Sequence, residues 1–187
     1  SVAELTIVGA SVGVRIVDIV GGGQSLASIG ATASRCAELG WHIQLGARGE
    51  NYPALMPRLM KLQVPFVIDH MGWCAPDAGL QHAHFQAVLA LARHADCRIK
   101  LSGAFRLSTQ RAAWTDTSPM AQPLIEAAPD PVFWGSDWPH VGLYEEAALP
   151  AVGDLLDLLA RTVPDAELQR RILVENPQRF YGLPAAG

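Results

Sequence analysis

Pro131-Val132-Phe133-Trp134-Gly135-Ser136-Asp137-Trp138-Pro139-His140 begins as a short apolar run, breaks at a glycine, and then presents a carboxylate and an imidazole. An apolar run of that length before a turn reads as a buried strand. A carboxylate such as Asp137 directly after such a strand is costly to bury without a partner or a task. Capping of the next turn is the structural alternative. A second stretch is built the same way: Val64-Pro65-Phe66-Val67-Ile68-Asp69-His70-Met71-Gly72. Two apolar strands that each finish in ionisable groups raise the functional reading above the structural one.

Working outward from these two stretches, the chain alternates strand and helix. Residues 1–9 have the spacing of a helix tail, and Gly13 to Val20 is rich in β-branched residues and reads as a strand. Gly21-Gly22-Gly23 reads as a flexible loop, since no GxGxxG or Lys-Ser/Thr accompanies it. Gln24 to Leu39 is predicted helical, with Leu26, Ile29, Ala33 and Ala37 as its apolar stripe and Gly40 as its stop. Strands follow at 41–45, 64–69, 97–102 and 131–135. Helices are expected from 51–53 to 62, at 82–95, near 119–128, at 150–161 and at 165–174, with Asn176-Pro177 capping a final turn at Gly182. No hairpin signal interrupts this order, so the class is α/β with a parallel sheet and crossover helices, in one domain over 1–187. The strands look apolar on both faces, as a barrel or a doubly wound sheet requires.

Of the 187 residues, 50% are hydrophobic, and the formal net charge is -4. The composition is that of a globular protein. No basic run suited to nucleic acid is present. No apolar run reaches the length of a membrane span. Cys36, Cys74 and Cys97 form no CxxC pair, and Cys36 and Cys97 lie in or beside apolar stretches. Buried thiols in a reducing cytoplasm are expected. The N-terminus has no basic signal-peptide region and no Met at position 1. A processed, tagged or truncated product is the expectation from that start.

The informative fact is where the polar residues fall. Asp18, Gln44, His70, Ser102, Arg106 and Asp137 lie at or just past the C-terminal ends of their strands. In parallel α/β folds those ends share one rim, where active sites form. His70, Arg106, Asp137 and His140 are therefore expected to meet at one mouth. Arg15 lies inside an apolar strand, where a charge must be paired or must bind a ligand. Each has a structural alternative: a satisfied core histidine for His70, a surface charge for Arg106. His42 sits at a strand start, at the wrong end for the rim. His82, His84 and His94 lie on a helix, and residues two apart on a helix diverge. Zinc or manganese on His70 and Asp137 is possible in donor chemistry, but the chain has no HxH of the right geometry, no HExxH and no cysteine cluster.

The motifs Gly40-Trp41-His42-Ile43-Gln44-Leu45, Val67-Ile68-Asp69-His70-Met71-Gly72, Ile99-Lys100-Leu101-Ser102-Gly103-Ala104-Phe105-Arg106-Leu107-Ser108, Trp134-Gly135-Ser136-Asp137-Trp138-Pro139-His140 and Glu175-Asn176-Pro177-Gln178-Arg179-Phe180-Tyr181 occur in that order. Together they resemble the amidohydrolase-related TIM-barrel family, in the branch similar to 2-pyrone-4,6-dicarboxylate lactonase. The resemblance implies a distorted (β/α)8 barrel and a hydrolase that opens a lactone or related carboxylate-bearing ring compound. It implies Asp137 as general base on water, His70 beside the scissile carbonyl, and Arg106 and Arg15 on substrate carboxylate. Gln44 and His140 complete the expected substrate contacts. No metal is required in the lactonase branch, whereas other branches bind zinc or manganese, for which His70 and Asp137 would be the ligands.

Two departures from the family pattern stand out. The His-x-His strand that opens the family is missing, so the first third of the barrel is expected to be absent, in a chain well short of the ~250 residues typical of such barrels. Gly72-Trp73-Cys74 replaces a common Gly-Arg-Pro. An open barrel exposes edges, so a second copy, a partner carrying the missing strands or a rearranged N-terminal segment is expected to cover them, the alternative being a fragment of a longer gene product. The rival readings are a metal-dependent decarboxylase or amidohydrolase and a truncated, inactive barrel acting as an assembly or binding subunit.

Overall fold

A computed structural model describes residues 13–19, 25–128, 130–143 and 149–184. The expected helix tail at 1–9 and the triple glycine at 21–23 lie outside those residues.

The sheet contains β1 (Gly13–Val17), β2 (His42–Gly46), β3 (Phe66–Ile68), β4 (Cys97–Leu101) and β5 (Val132–Trp134). They are hydrogen-bonded in the order β1-β2-β3-β4-β5, and every neighbouring pair is parallel. A doubly wound sheet reverses its strand order at a switch point, whereas a barrel wall adds each strand beside the last. The unbroken order is that of a barrel wall.

The helices between the strands are α1 (Ile29–Leu39), α2 (Tyr52–Leu59), α3 (Ala83–Ala92), a short α4 (Ala104–Leu107) and α5 (Ser118–Ala127). After β5 come α6 (Val152–Thr162), α7 (Ala166–Arg170) and α8 (Asn176–Tyr181). Helix α1 buries Ile29, Ala33 and Cys36 and ends at Gly40, whose φ of 66° suits a residue without a Cβ. Cys36 takes the place predicted for Ala37 because the stripe follows i, i+4, i+7 from Ile29. The predicted final turn at Asn176-Pro177 is instead a helix. A single π-turn over Arg171–Glu175 joins α7 to α8, and Pro177, which lacks an N–H, sits at the start of α8.

The expectation of strands apolar on both faces holds for β3 and β5 and is overturned for β1, β2 and β4, which carry Arg15, His42, Gln44, Arg98 and Lys100. Ile16, Ile43, Leu45, Phe66, Ile68, Ile99 and Val132 belong to the buried core beneath the helices. Cross-strand registers Arg15↔Gln44, Gln44↔Val67, Val67↔Arg98 and Lys100↔Phe133 place the intervening residues on the opposite face. That face is largely polar, because the crossover helices cover only the other one. Its lower half is covered by α8. Phe180 and Tyr181 meet the His42 ring with centroids 5.0 and 5.7 Å away, and both lie 5.7 Å from Phe133. The Arg98 guanidinium stands 5.3 Å over the Phe180 ring. Asn176 Nδ2 donates to the Val132 carbonyl at 2.7 Å and fastens α8 to β5. The upper half, at the C-terminal ends of the strands, is left to the polar side chains.

His42 is buried beside α8, and burial, followed by the charge of Lys100, pushes its imidazole below the ordinary 6.5. The unfolded chain therefore takes up a proton at a higher pH than the folded one. This contribution to stability is complete above about pH 6.5 and shrinks as the pH falls through that value. Urea unfolding at pH 7.5 and 5.5 should show a lower midpoint at 5.5. In His42→Gln the difference between the two pH values should narrow.

Candidate active site

The C-terminal ends of β3, β4 and β5 hold a set of paired charged groups. Asp69 follows β3 directly and its backbone N–H donates to the Leu45 carbonyl at 2.9 Å, which fixes its place against β2. Its side chain is 1% exposed. Oδ2 accepts from Arg15 Nε at 3.0 Å, from Arg15 Nη2 at 2.8 Å and from Gln44 Nε2 at 3.0 Å. Lys100 Nζ stands 3.5 Å from Oδ1. The carboxylate thus ties β1, β2 and β4 to the end of β3.

One residue further on, His70 is buried and its Nδ1 lies 2.8 Å from Ser102 Oγ, at the end of β4. Its Nε2 is 3.6 Å from Asp137 Oδ1. Burial lowers the imidazole below its ordinary value; Asp137 and Asp69 act in the opposite sense, and Arg106 and Arg15 add to the lowering. His70 is therefore a neutral ring at pH 7. A hydroxyl hydrogen donated by Ser102 to Nδ1 leaves the ring proton on Nε2, the nitrogen that faces the Asp137 carboxylate. Arg106, in α4, places Nε on Asp137 Oδ2. Both side chains of this pair are mostly buried.

The backbone here is strained. Outside glycine, His70 (φ 51°), Met71 (50°), Trp73 (50°), Asp137 (63°) and His140 (58°) occupy the left-handed region. Such conformations persist where the surroundings enforce them, and they concentrate at functional sites.

The structure brings His70, Arg106 and Asp137 together, and Arg15 with Gln44, as two adjoining clusters joined through the consecutive residues Asp69 and His70. His140 is turned into its own loop: its Nε2 lies 3.2 Å from the Ser136 carbonyl and its ring meets the edge of Phe105 at 5.2 Å. Asp18, also expected at the rim, accepts from Arg48 N–H and Asn51 Nδ2, and so anchors the loop into α2. Sequence reasoning assigned no role to Asp69. The signal was available: Arg15 inside a strand needs a counter-charge, and a carboxylate ends another strand.

Among the described residues no three His, Cys, Asp or Glu side chains converge as a metal site. His70 and Asp137 supply two donors, His70 Nδ1 is engaged by Ser102, and Arg106 already brings a positive charge to Asp137. These residues by themselves do not fit a bound metal. The clusters lie at the C-terminal ends of the strands, where Arg15 is half exposed and Asp69, His70, Lys100, Arg106 and Asp137 are mostly or fully buried. A cavity of about 520 Å³ opens near Trp41, His42, Arg98 and Phe180, at the other end of the strands, and is no part of the site.

A strand order of this kind with charged groups at one rim defines a class, and comparison with known proteins gives its membership. Residues 3–183 match the amidohydrolase family, and the chain belongs to it. It is 39% identical over 152 residues to a 4-sulfomuconolactone hydrolase of Hydrogenophaga intermedia, covering 81% of this chain and 50% of that protein. It is 34% identical to a 2-pyrone-4,6-dicarboxylate hydrolase of Comamonas testosteroni, covering 80% of this chain and 51% of that one. An apo crystal structure from Agrobacterium tumefaciens superposes with a TM-score of 0.83 at 27% identity, over 92% of this chain and 61% of the other. A Burkholderia multivorans amidohydrolase solved with bound zinc shares the fold, at TM-score 0.72 and 18% identity, over 84% of this chain and 58% of that one. The chain spans about half the length of the curated relatives it matches. Its sheet is a five-stranded part of the family's barrel.

Gly103 has φ 65°, and a Cβ there would stand 2.6 Å from His70 Nδ1. Gly103→Ala is expected to lower stability by about 1–3 kcal/mol in urea unfolding, by forcing His70 off Ser102.

Proposed function

We propose that this protein hydrolyses a lactone that carries an anionic group, with Asp137 as the base. The carrying observation is the apposition of Asp137 Oδ1 and His70 Nε2 across 3.6 Å. An atom of a substrate or a water can lie about 3 Å from both groups at once. The named lactone hydrolases among the relatives support the same chemistry.

Asp137 takes a proton from water as the water oxygen adds to the lactone carbonyl carbon. The carbonyl oxygen becomes an oxyanion, which the Nε2–H of His70 stabilises by donating to it. Collapse of the tetrahedral intermediate breaks the ring C–O bond. The leaving oxygen recovers the proton from Asp137, and a ring-opened acid departs. Arg106 holds the other oxygen of Asp137 and presents its remaining N–H groups to an incoming anion. Arg15 and Gln44, at the adjoining cluster, bind the substrate from the side of β1 and β2. Carboxylate and imidazole act directly on water and carbonyl in this scheme, and no step passes through a metal. Asp69 is unsuited to the same task, since its Oδ2 is held by Arg15 and Gln44, its Oδ1 faces Lys100, and its side chain is closed to water. The buried thiols of Cys36, Cys74 and Cys97 accord with a reducing, cytoplasmic setting.

Asp137→Asn keeps the shape of the side chain and removes the base. Hydrolysis of 2-pyrone-4,6-dicarboxylate and 4-sulfomuconolactone, followed by loss of lactone absorbance, should fall by about 10²–10⁴-fold with the circular dichroism spectrum unchanged. Turnover within tenfold of the unaltered protein, or none by the unaltered protein with either lactone, contradicts the reading.

A further inference from the structure

We propose that Asp69 is a positioning residue, which turns Arg15 so that one edge of its guanidinium is held ready for an anion. The inference rests on the reading of the site as one that takes an anionic ring compound. A guanidinium has a side edge, Nε and Nη2, and an end edge, Nη1 and Nη2. Asp69 Oδ2 occupies the side edge, at 3.0 Å from Nε and 2.8 Å from Nη2. The end edge keeps a parallel pair of N–H groups, the geometry that grips a carboxylate or sulfonate with two bonds.

Exposure agrees with this division of labour. Asp69 is 1% exposed and the Arg15 side chain 49%. One partner is fixed and dry, and the other is half exposed. Gln44 Nε2, bonded to the same oxygen at 3.0 Å, stops the carboxylate from rotating. Lys100 Nζ lies 3.5 Å from the second oxygen. Two cations thus share one carboxylate, and the cluster has one positive charge in excess to offer an anion. Asp69 immediately precedes His70, so an anion held by Arg15 adjoins the cluster of His70, Arg106 and Asp137. Asp69 touches no substrate in this account; it acts through Arg15.

The probe is isophthalate, a flat and unreactive dicarboxylate, whose binding to the full chain is read by calorimetry. Arg15→Lys retains the charge but loses the two-pronged edge, and Asp69→Asn retains the shape but loses the charge that aims it. Each is expected to raise the Kd about tenfold or more, and the double variant to be no more than about twofold weaker than Arg15→Lys alone. Asp69→Asn should raise the KM for lactone about as much while kcat stays within about threefold. Additive losses in the double variant, or no isophthalate binding at about 10 mM by the unaltered protein, overturn the proposal.

Should Asp69→Asn not fold, nitrogen-15 spectra of the unaltered chain decide the matter. The Arg15 Nε–H, assigned by its loss in Arg15→Lys, should exchange slowly with water, and isophthalate should move the Nη signals more than Nε. Rapid exchange of Nε–H overturns the proposal. Coupled losses without any lactone turnover support the role of Asp69 and count against the hydrolytic reading alone. Turnover that depends on Asp137, with additive isophthalate losses, does the reverse.

Discussion

A carboxylate taken out of water must be matched, and the way Asp69 is matched organises the whole upper face of this sheet. Removing such a charge from solvent costs several kcal/mol unless hydrogen bonds and opposite charges replace the lost water. Arg15, Gln44 and Lys100 supply them from three other strands. They reach it only because the strands are parallel and in register, with Arg15 beside Gln44 and Ile68 beside Ile99. The same register puts His70 next to Ser102 and brings the loop after β5, with Asp137, onto His70 and Arg106. Sheet register and site geometry are one constraint.

The sheet has two faces with different duties. Its helical side is a conventional aliphatic core built from Ile, Leu, Val and Phe. The other side is divided along the strands. At the N-terminal ends α8 lays Phe180 and Tyr181 over His42 and Phe133 and seals it. At the C-terminal ends the face stays polar and carries paired charges. The strained backbone of His70, Met71, Asp137 and His140 lies at that end. A wall of a barrel used in this way has a stable end and a chemical end.

The alternation of strands and helices was legible because β-branched runs and glycine stops are local signals. Strands β2 to β5 fall within two residues of where those signals put them, and β1 starts at Gly13 as expected but ends three residues early, at Val17. The two-faced character of the sheet was less legible. Val67 and Phe133 are apolar yet lie on the polar face, so strand composition concealed the alternation. The meeting of His70, Arg106 and Asp137 followed from their places after parallel strands. The partner of Arg15 did not, because Asp69 lies 54 residues away and pairs through tertiary register. His140 faces its own loop because the left-handed backbone at 137 and 140 curls the chain back on Ser136, a local turn that composition does not announce. Family resemblance supplied the order of the barrel strands, and the parallel pairing of the sheet shows it independently.

The central claim is that the two charged clusters form one binding surface for one substrate. It is tested most directly by a crystal structure of this protein with isophthalate bound. One carboxylate should lie on the end edge of Arg15 and the other on Arg106, with the ring spanning His70 and Asp137. Isophthalate found instead in the cavity beside His42 and Arg98, with the upper rim unchanged, would contradict it.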